Sequence, residues 1–60
     1  MMRSSIAEII ARVRLRRKLL KMQKQVRAIH ADLVRLELTG AALDAFALLN
    51  SLRELINDLR

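Results

Sequence analysis

Apolar residues recur along the first part of the chain at Leu15, Leu19, Met22, Val26, Ile29, Leu33 and Leu36, with spacings of 4, 3, 4, 3, 4 and 3. That alternation holds one stripe on one side of an α-helix and predicts a helix packed against another helix. A second stripe, Ala41, Ala45, Leu48, Leu52, Leu55 and Leu59, repeats the alternation but out of phase with the first. Carried past Leu36, the first stripe would reach Gly40, Leu43, Ala47, Asn50, Glu54 and Asn57, and half of those positions are strongly polar. The phase breaks at Gly40, the residue type best suited to a left-handed helix end. The pattern therefore predicts an all-α fold, an antiparallel two-helix hairpin filling one domain over 1–60. Helix 1 is expected at about 5–38, the turn at 39–40 and helix 2 at about 41–59.

Ser5 followed by Glu8 fits a capping box, so helix 1 is expected to start near Ser4 or Ser5. Asp44 is expected in the first turn of helix 2, where the helix dipole favours an acid. Folding back at Gly40 would set Leu36 near Ala45, Leu33 near Leu48, Ile29 near Leu52, Val26 near Leu55 and Met22 near Leu59. Ala41 and Ala45 would let the backbones approach near the turn. Helix 1 would overhang its partner by residues 1–17 or so. In that overhang Ile6, Ile9, Ile10 and Val13 form a face of their own, continued by Leu20 and pointing away from the Leu15–Leu36 stripe. Helix 2 has a spare flank at Ala42, Phe46, Leu49 and Ile56. Two spare faces on one hairpin suit a four-helix bundle made from two copies. The residues expected to join them are Ile6, Ile9, Ile10, Val13, Leu20, Phe46, Leu49 and Ile56.

Composition sharpens that expectation. Sixty residues bury too little apolar surface for a comfortable core, and there is no cysteine to supply a disulfide or thiolate metal site. Association is the remedy left. The N-terminal residues lack the apolar run of a secretory signal and no stretch is long enough for a membrane span, so a cytoplasmic protein is expected.

The charge is uneven: residues 1–30 carry nine Lys/Arg against one Glu, and residues 31–60 carry three Arg against five acids. Arg14, Arg17, Lys21 and Lys24 share one face by spacing. They read either as an anion-binding stripe, for nucleic acid, acidic lipid or an acidic protein, or as a solvated face that aids solubility. With no aromatic interleaving and no helix-turn-helix spacing, base-specific reading is poorly supported. Ile6, Ile10 and Val13 read either as a ligand for a groove on another protein or as packing inside a homodimer. His30, at the edge of the stripe, reads as a boundary packing residue. Glu8–Arg12 and Asp32–Arg35 read as surface pairs. No residue is a catalytic, metal-ligating or cofactor-binding candidate, and no cofactor is expected.

A long first helix, a turn after Leu36-Glu37-Leu38-Thr39 and a shorter Leu-rich second helix resemble two kinds of small binding protein. One is the hairpin co-chaperone of type III secretion needle subunits. The other is the phage-encoded regulator that binds and silences a host transcription factor or motor protein. The resemblance lies in the architecture of residues 5–60 and implies a binding role. The expected function is thus a homodimeric adaptor or inhibitor of another protein, not an enzyme. Its candidate contact residues are Ile6, Ile10, Val13, Arg14, Arg17, Lys21 and Lys24. The alternative is a low-specificity nucleic-acid-binding module using the same stripe, and a peripheral membrane binder is the weaker third option.

Overall fold

The computed structural model describes residues 5–59, and within them the chain forms two helices, α1 (Ile6–Arg35) and α2 (Thr39–Asp58). They pack against each other as the expected hairpin. Ser5 caps α1, its hydroxyl accepting from the Glu8 backbone N–H at 3.1 Å. This satisfies one of the donors that a helix start leaves open. Ser4, the other candidate cap, lies outside the described residues. Asp32 and Arg35 form the expected ion pair near the end of α1. Glu8 and Arg12, expected to pair likewise, do not come within ion-pair distance.

The turn is a correction. α1 stops at Arg35, three residues earlier than the phase break suggests. Glu37 takes the left-handed conformation at φ 60°, and Gly40 does not take a positive φ. The Leu38 N–H donates to Leu33 O and the Glu37 N–H to Val34 O, both at 3.0 Å. These two bonds are the Schellman pattern, which satisfies helix-end carbonyls at the expense of one left-handed residue. Gly40 lies inside the first turn of α2, where an added Cβ would meet nothing within 4 Å. Because α2 begins at Thr39, Asp44 sits beyond its first turn, and that turn holds no acid.

The earlier turn shifts the register and rotates the packing face. The described residues that are not fully exposed are Arg16, Leu19, Gln23, Val26, His30 and Leu33 from α1, and Ala42, Ala45, Leu49, Leu52, Ile56 and Leu59 from α2. Both series keep the 3-and-4 alternation, but only every second position of each expected stripe lies in the seam. Leu19, Val26 and Leu33 are there with Ala45, Leu52 and Leu59. Leu15, Met22, Ile29 and Leu36, with Ala41, Leu48 and Leu55, were expected in the core and instead are exposed. The compact part of the seam is Leu19, Val26, Leu52 and Ile56, flanked by Leu49 and Leu59. The His30–Phe46 contact and the exposure of Met22 and Leu55 exclude the expected register, in which Val26 would meet Leu55 and Met22 would meet Leu59. The three-residue turn leaves no slack, so its direction selects the edge of α1 on which α2 lies. Ala42 and Ala45, at 7% and 9% exposure, are the small residues that let the helices close together near the turn.

Two helices side by side make a single layer. The molecule measures 50 × 18 × 10 Å between Cα atoms, with a radius of gyration of 15.1 Å. A compact 60-residue domain would have a radius of about 10 Å. With no second layer, each helix has a side that no other element covers.

Candidate interaction surfaces

The two uncovered sides follow from helix geometry. Around α1, take Leu19, Val26 and Leu33 as the centre of a strip. Residues three further on, Met22, Ile29 and Leu36, lie about 60° to one side, and residues four further on, Gln23 and His30, about 40° to the other. Around α2, Leu48 and Leu55 stand to Ala45 and Leu52 as Met22 and Ile29 stand to Leu19 and Val26. The helices run in opposite directions and face each other, and the two reversals cancel. The Met22 flank of α1 and the Leu48 flank of α2 therefore lie on the same side of the hairpin.

That first side carries Leu15, Met22, Ile29, Leu36, Leu48 and Leu55, each between 46% and 66% exposed. Among the described residues, charged groups stand only at its outer rims. They are Lys18 and Asp32 on α1, and Asp44 and Asp58 on α2.

The second side carries Ile6, Val13, Leu20 and Val34 from α1 and Phe46 from α2, all exposed. Here apolar and charged residues are mixed. Arg27 and Arg53 lie in line with the apolar residues, Arg17 and Lys24 rim α1, and Leu43, Asn50 and Asn57 rim α2. Every charge on this side, among the described residues, is positive. His30, half-buried, reaches this edge of the seam and meets Phe46 with ring centroids 6.2 Å apart.

Placed against the expected contact residues, Ile6, Ile10 and Val13 are exposed on the part of α1 that runs past the end of α2, as expected of an overhang. Ile9 is exposed there too, at 52%. Arg14, Arg17, Lys21 and Lys24 are exposed and lie away from the seam. Of the residues expected to join two copies, Leu20 and Phe46 are exposed, but Ile56 is buried and Leu49 half-buried within the hairpin itself. Those two are committed to the intramolecular seam. Ala42, the other member of that flank, is buried as well.

The sequence pattern missed Arg16 and Gln23 as seam residues. Arg16 sits at the open end of the seam, where its Nε is buried with no hydrogen-bond partner among the described residues. Polar side chains at 3-and-4 spacing from Leu19 were the signal, masked by the more apolar series one residue earlier. Among the described residues no three His, Asp or Glu side chains are grouped to hold a metal ion, and no helix is long and apolar enough to cross a membrane.

No protein-family model matches the chain, and no curated protein or solved structure matches it significantly.

Proposed function

We propose that the chain is a non-catalytic adaptor or inhibitor that acts as a homodimer and binds another protein through its α1 overhang and second side. The observation that supports this reading is how little the lone hairpin covers: fifteen large apolar side chains among the described residues are at least 41% exposed. The chain exposes 5389 Å², about a third more than the roughly 4000 Å² expected of a compact protein of 6.9 kDa. Scattered surface leucines need no explanation, but a contiguous apolar strip on one side of a rod and a run of exposed isoleucine and valine on its overhang mark association surfaces. Ile6, Ile10 and Val13 provide anchors of the kind that fill a groove on a partner. The surrounding Arg14, Arg17, Lys21 and Lys24 favour a partner whose groove is rimmed by Asp and Glu.

The test is capture of a partner from nuclease-treated extract by the unaltered chain and by a variant with Ile6, Ile10 and Val13 changed to Ala. The expected result is capture that survives nuclease and is lost in the variant while its dimer mass is retained. Capture unaffected by the three substitutions overturns the proposed contact site.

A second reading has its own supporting observation. Residues 9–31 hold eight Lys/Arg and no acid, so α1 presents a concentrated positive field suited to phosphates. Under that reading the chain is a nucleic-acid binder of low sequence specificity, and capture disappears with nuclease.

A further inference from the structure

We infer that a second copy of this chain packs on the Met22–Ile29–Leu48–Leu55 side of the hairpin, leaving the Val13–Leu20–Phe46 side free. This rests on the homodimer of the proposed function and names the face that makes it. It departs from the expectation that the overhang and the Phe46 flank hold the dimer together.

Three observations carry it. The first is an internal contradiction in the lone hairpin. On α1 the seam takes Arg16, Gln23 and His30 at the positions flanking Leu19, Val26 and Leu33, while Leu15, Met22, Ile29 and Leu36 stay in water. A hairpin folding for itself alone gains more by burying the leucine flank. A helix in a four-helix bundle uses both flanks of its central strip, giving an apolar face three positions wide. The strip, its half-polar flank and its apolar flank match that arrangement, with the apolar flank turned to the missing layer.

The second is charge. A twofold axis sets a face against itself. On the second side, Arg27 and Arg53 lie in line with the apolar residues. A twofold there that overlaps the two copies along their full length sets them close to Arg27 or Arg53 of the second copy, with no acid on that side among the described residues. The first side has no charge in line with its apolar residues. With the copies overlapping along their full length, Lys18 at its rim comes close to an acid of the second copy, Asp32 where α1 lies on α1 and Asp58 where α1 lies on α2.

The third is area. Each separate hairpin exposes 5389 Å², whereas a compact protein of twice the mass exposes about 6600 Å² in all. That excess is more than one contact needs: one broad face of the 50 × 18 × 10 Å hairpin covers about 900 Å² per copy, about 1800 Å² for the pair, which is the size of a specific protein–protein interface.

The test compares two double variants with the unaltered chain by sedimentation equilibrium and far-ultraviolet circular dichroism. Met22→Lys/Leu48→Lys charges the first side and Leu20→Lys/Phe46→Lys the second. The expected result is a dimer for the unaltered chain and for the second variant. In the first variant the dissociation constant rises at least about a hundredfold, because two ammonium groups from each copy face apolar side chains without partners. Should the first variant also lose helicity, thiol accessibility decides. Ile29→Cys and Leu20→Cys are each introduced into a chain that has no other cysteine. Ile29→Cys is expected to alkylate about tenfold more slowly, since an interface core excludes reagent as it excludes water. The difference should vanish on dilution below the dissociation constant. A dimer broken by the Leu20/Phe46 variant, with Leu20→Cys the protected thiol, overturns this assignment but leaves the homodimer standing. A concentration-independent monomer overturns both. Partner capture by the overhang is read separately in either case.

Discussion

His30 of α1 and Phe46 of α2 meet across the seam with ring centroids 6.2 Å apart and planes tilted by 44°. This single contact fixes the register of the hairpin, because a turn at Thr39-Gly40 would instead bring His30 opposite Ser51. It also ties a half-buried imidazole to the one aromatic residue of the chain. A double-mutant cycle with His30→Ala and Phe46→Ala is expected to give a coupling of about 0.5 kcal/mol in thermal or urea unfolding. That is the low end for aromatic pairs, because Phe46 remains 53% exposed. Zero coupling would mean that the register is wrong.

The turn yields a pair of substitutions with opposite meaning under the two turn positions. Glu37 is left-handed at φ 60°, a conformation that disfavours a side chain by about 1 kcal/mol. Glu37→Gly is therefore expected to stabilise the fold by about 1 kcal/mol. Gly40 has ordinary helical surroundings and open space at its missing Cβ, so Gly40→Ala is expected to stabilise by about 0.5–1 kcal/mol. Unfolding midpoints at one protein concentration measure both. A loss of stability in Gly40→Ala would return the turn to Gly40.

The position of the turn and the choice of packing face depart from the sequence pattern for one reason. The periodicity of Leu15 to Leu36 specifies a helix, and the phase break after it a second helix. What periodicity does not carry is which edge of a stripe an adjacent helix takes. Leu19, Val26 and Leu33 belong to the seam under either choice, and they were legible. Whether Met22 or Gln23 joins them depends on the turn, and the turn depends on backbone hydrogen bonds at Glu37 and Leu38 that compensate for the absence of glycine there. Composition pointed to Gly40 because glycine is the usual left-handed residue, and the Schellman pair overrode it. The overhang at Ile6–Val13 and the outward basic stripe were legible, because both follow from spacing along one helix. The commitment of Leu49 and Ile56 to the seam was not, because it follows from the register.

The seam itself separates residues that hold the hairpin from those that do not. Leu52 is 5% exposed and central to the core cluster, so Leu52→Ala is expected to cost about 2–5 kcal/mol. Arg16→Met is expected to act in the other direction. It keeps the apolar stem and removes a buried Nε that has no partner among the described residues, and an unsatisfied buried polar group costs about 1–3 kcal/mol. A gain of about 1 kcal/mol in urea unfolding would fit, since part of the guanidinium reaches solvent. Stability must be compared at fixed concentration, because association adds its own term. If Arg16→Met destabilises, the guanidinium has a partner at the open end of the seam that outweighs its burial.

The basic stripe decides between the two functional readings by its salt dependence. Arg14, Arg17, Lys21 and Lys24 are exposed on the side of α1 away from the seam, so changing all four to Gln should leave helicity and dimer mass intact. If they contact phosphates, neutralising about four of them gives a log–log slope of affinity against salt near −3 to −4. The Gln variant should then flatten that slope to near zero. Under the protein-binding reading, DNA binding is weak at physiological salt and capture of a protein partner is governed by Ile6, Ile10 and Val13. The stripe then contributes mainly to the association rate, through attraction to acids at the partner's rim. The Gln variant should accordingly bind that partner more slowly with little change in its dissociation rate. Loss of tight DNA binding in the Gln variant, together with capture that vanishes on nuclease treatment, would establish the nucleic-acid reading in its place. The charge run that made the sequence conspicuous would then be the site itself, and the apolar overhang would have no part in partner capture.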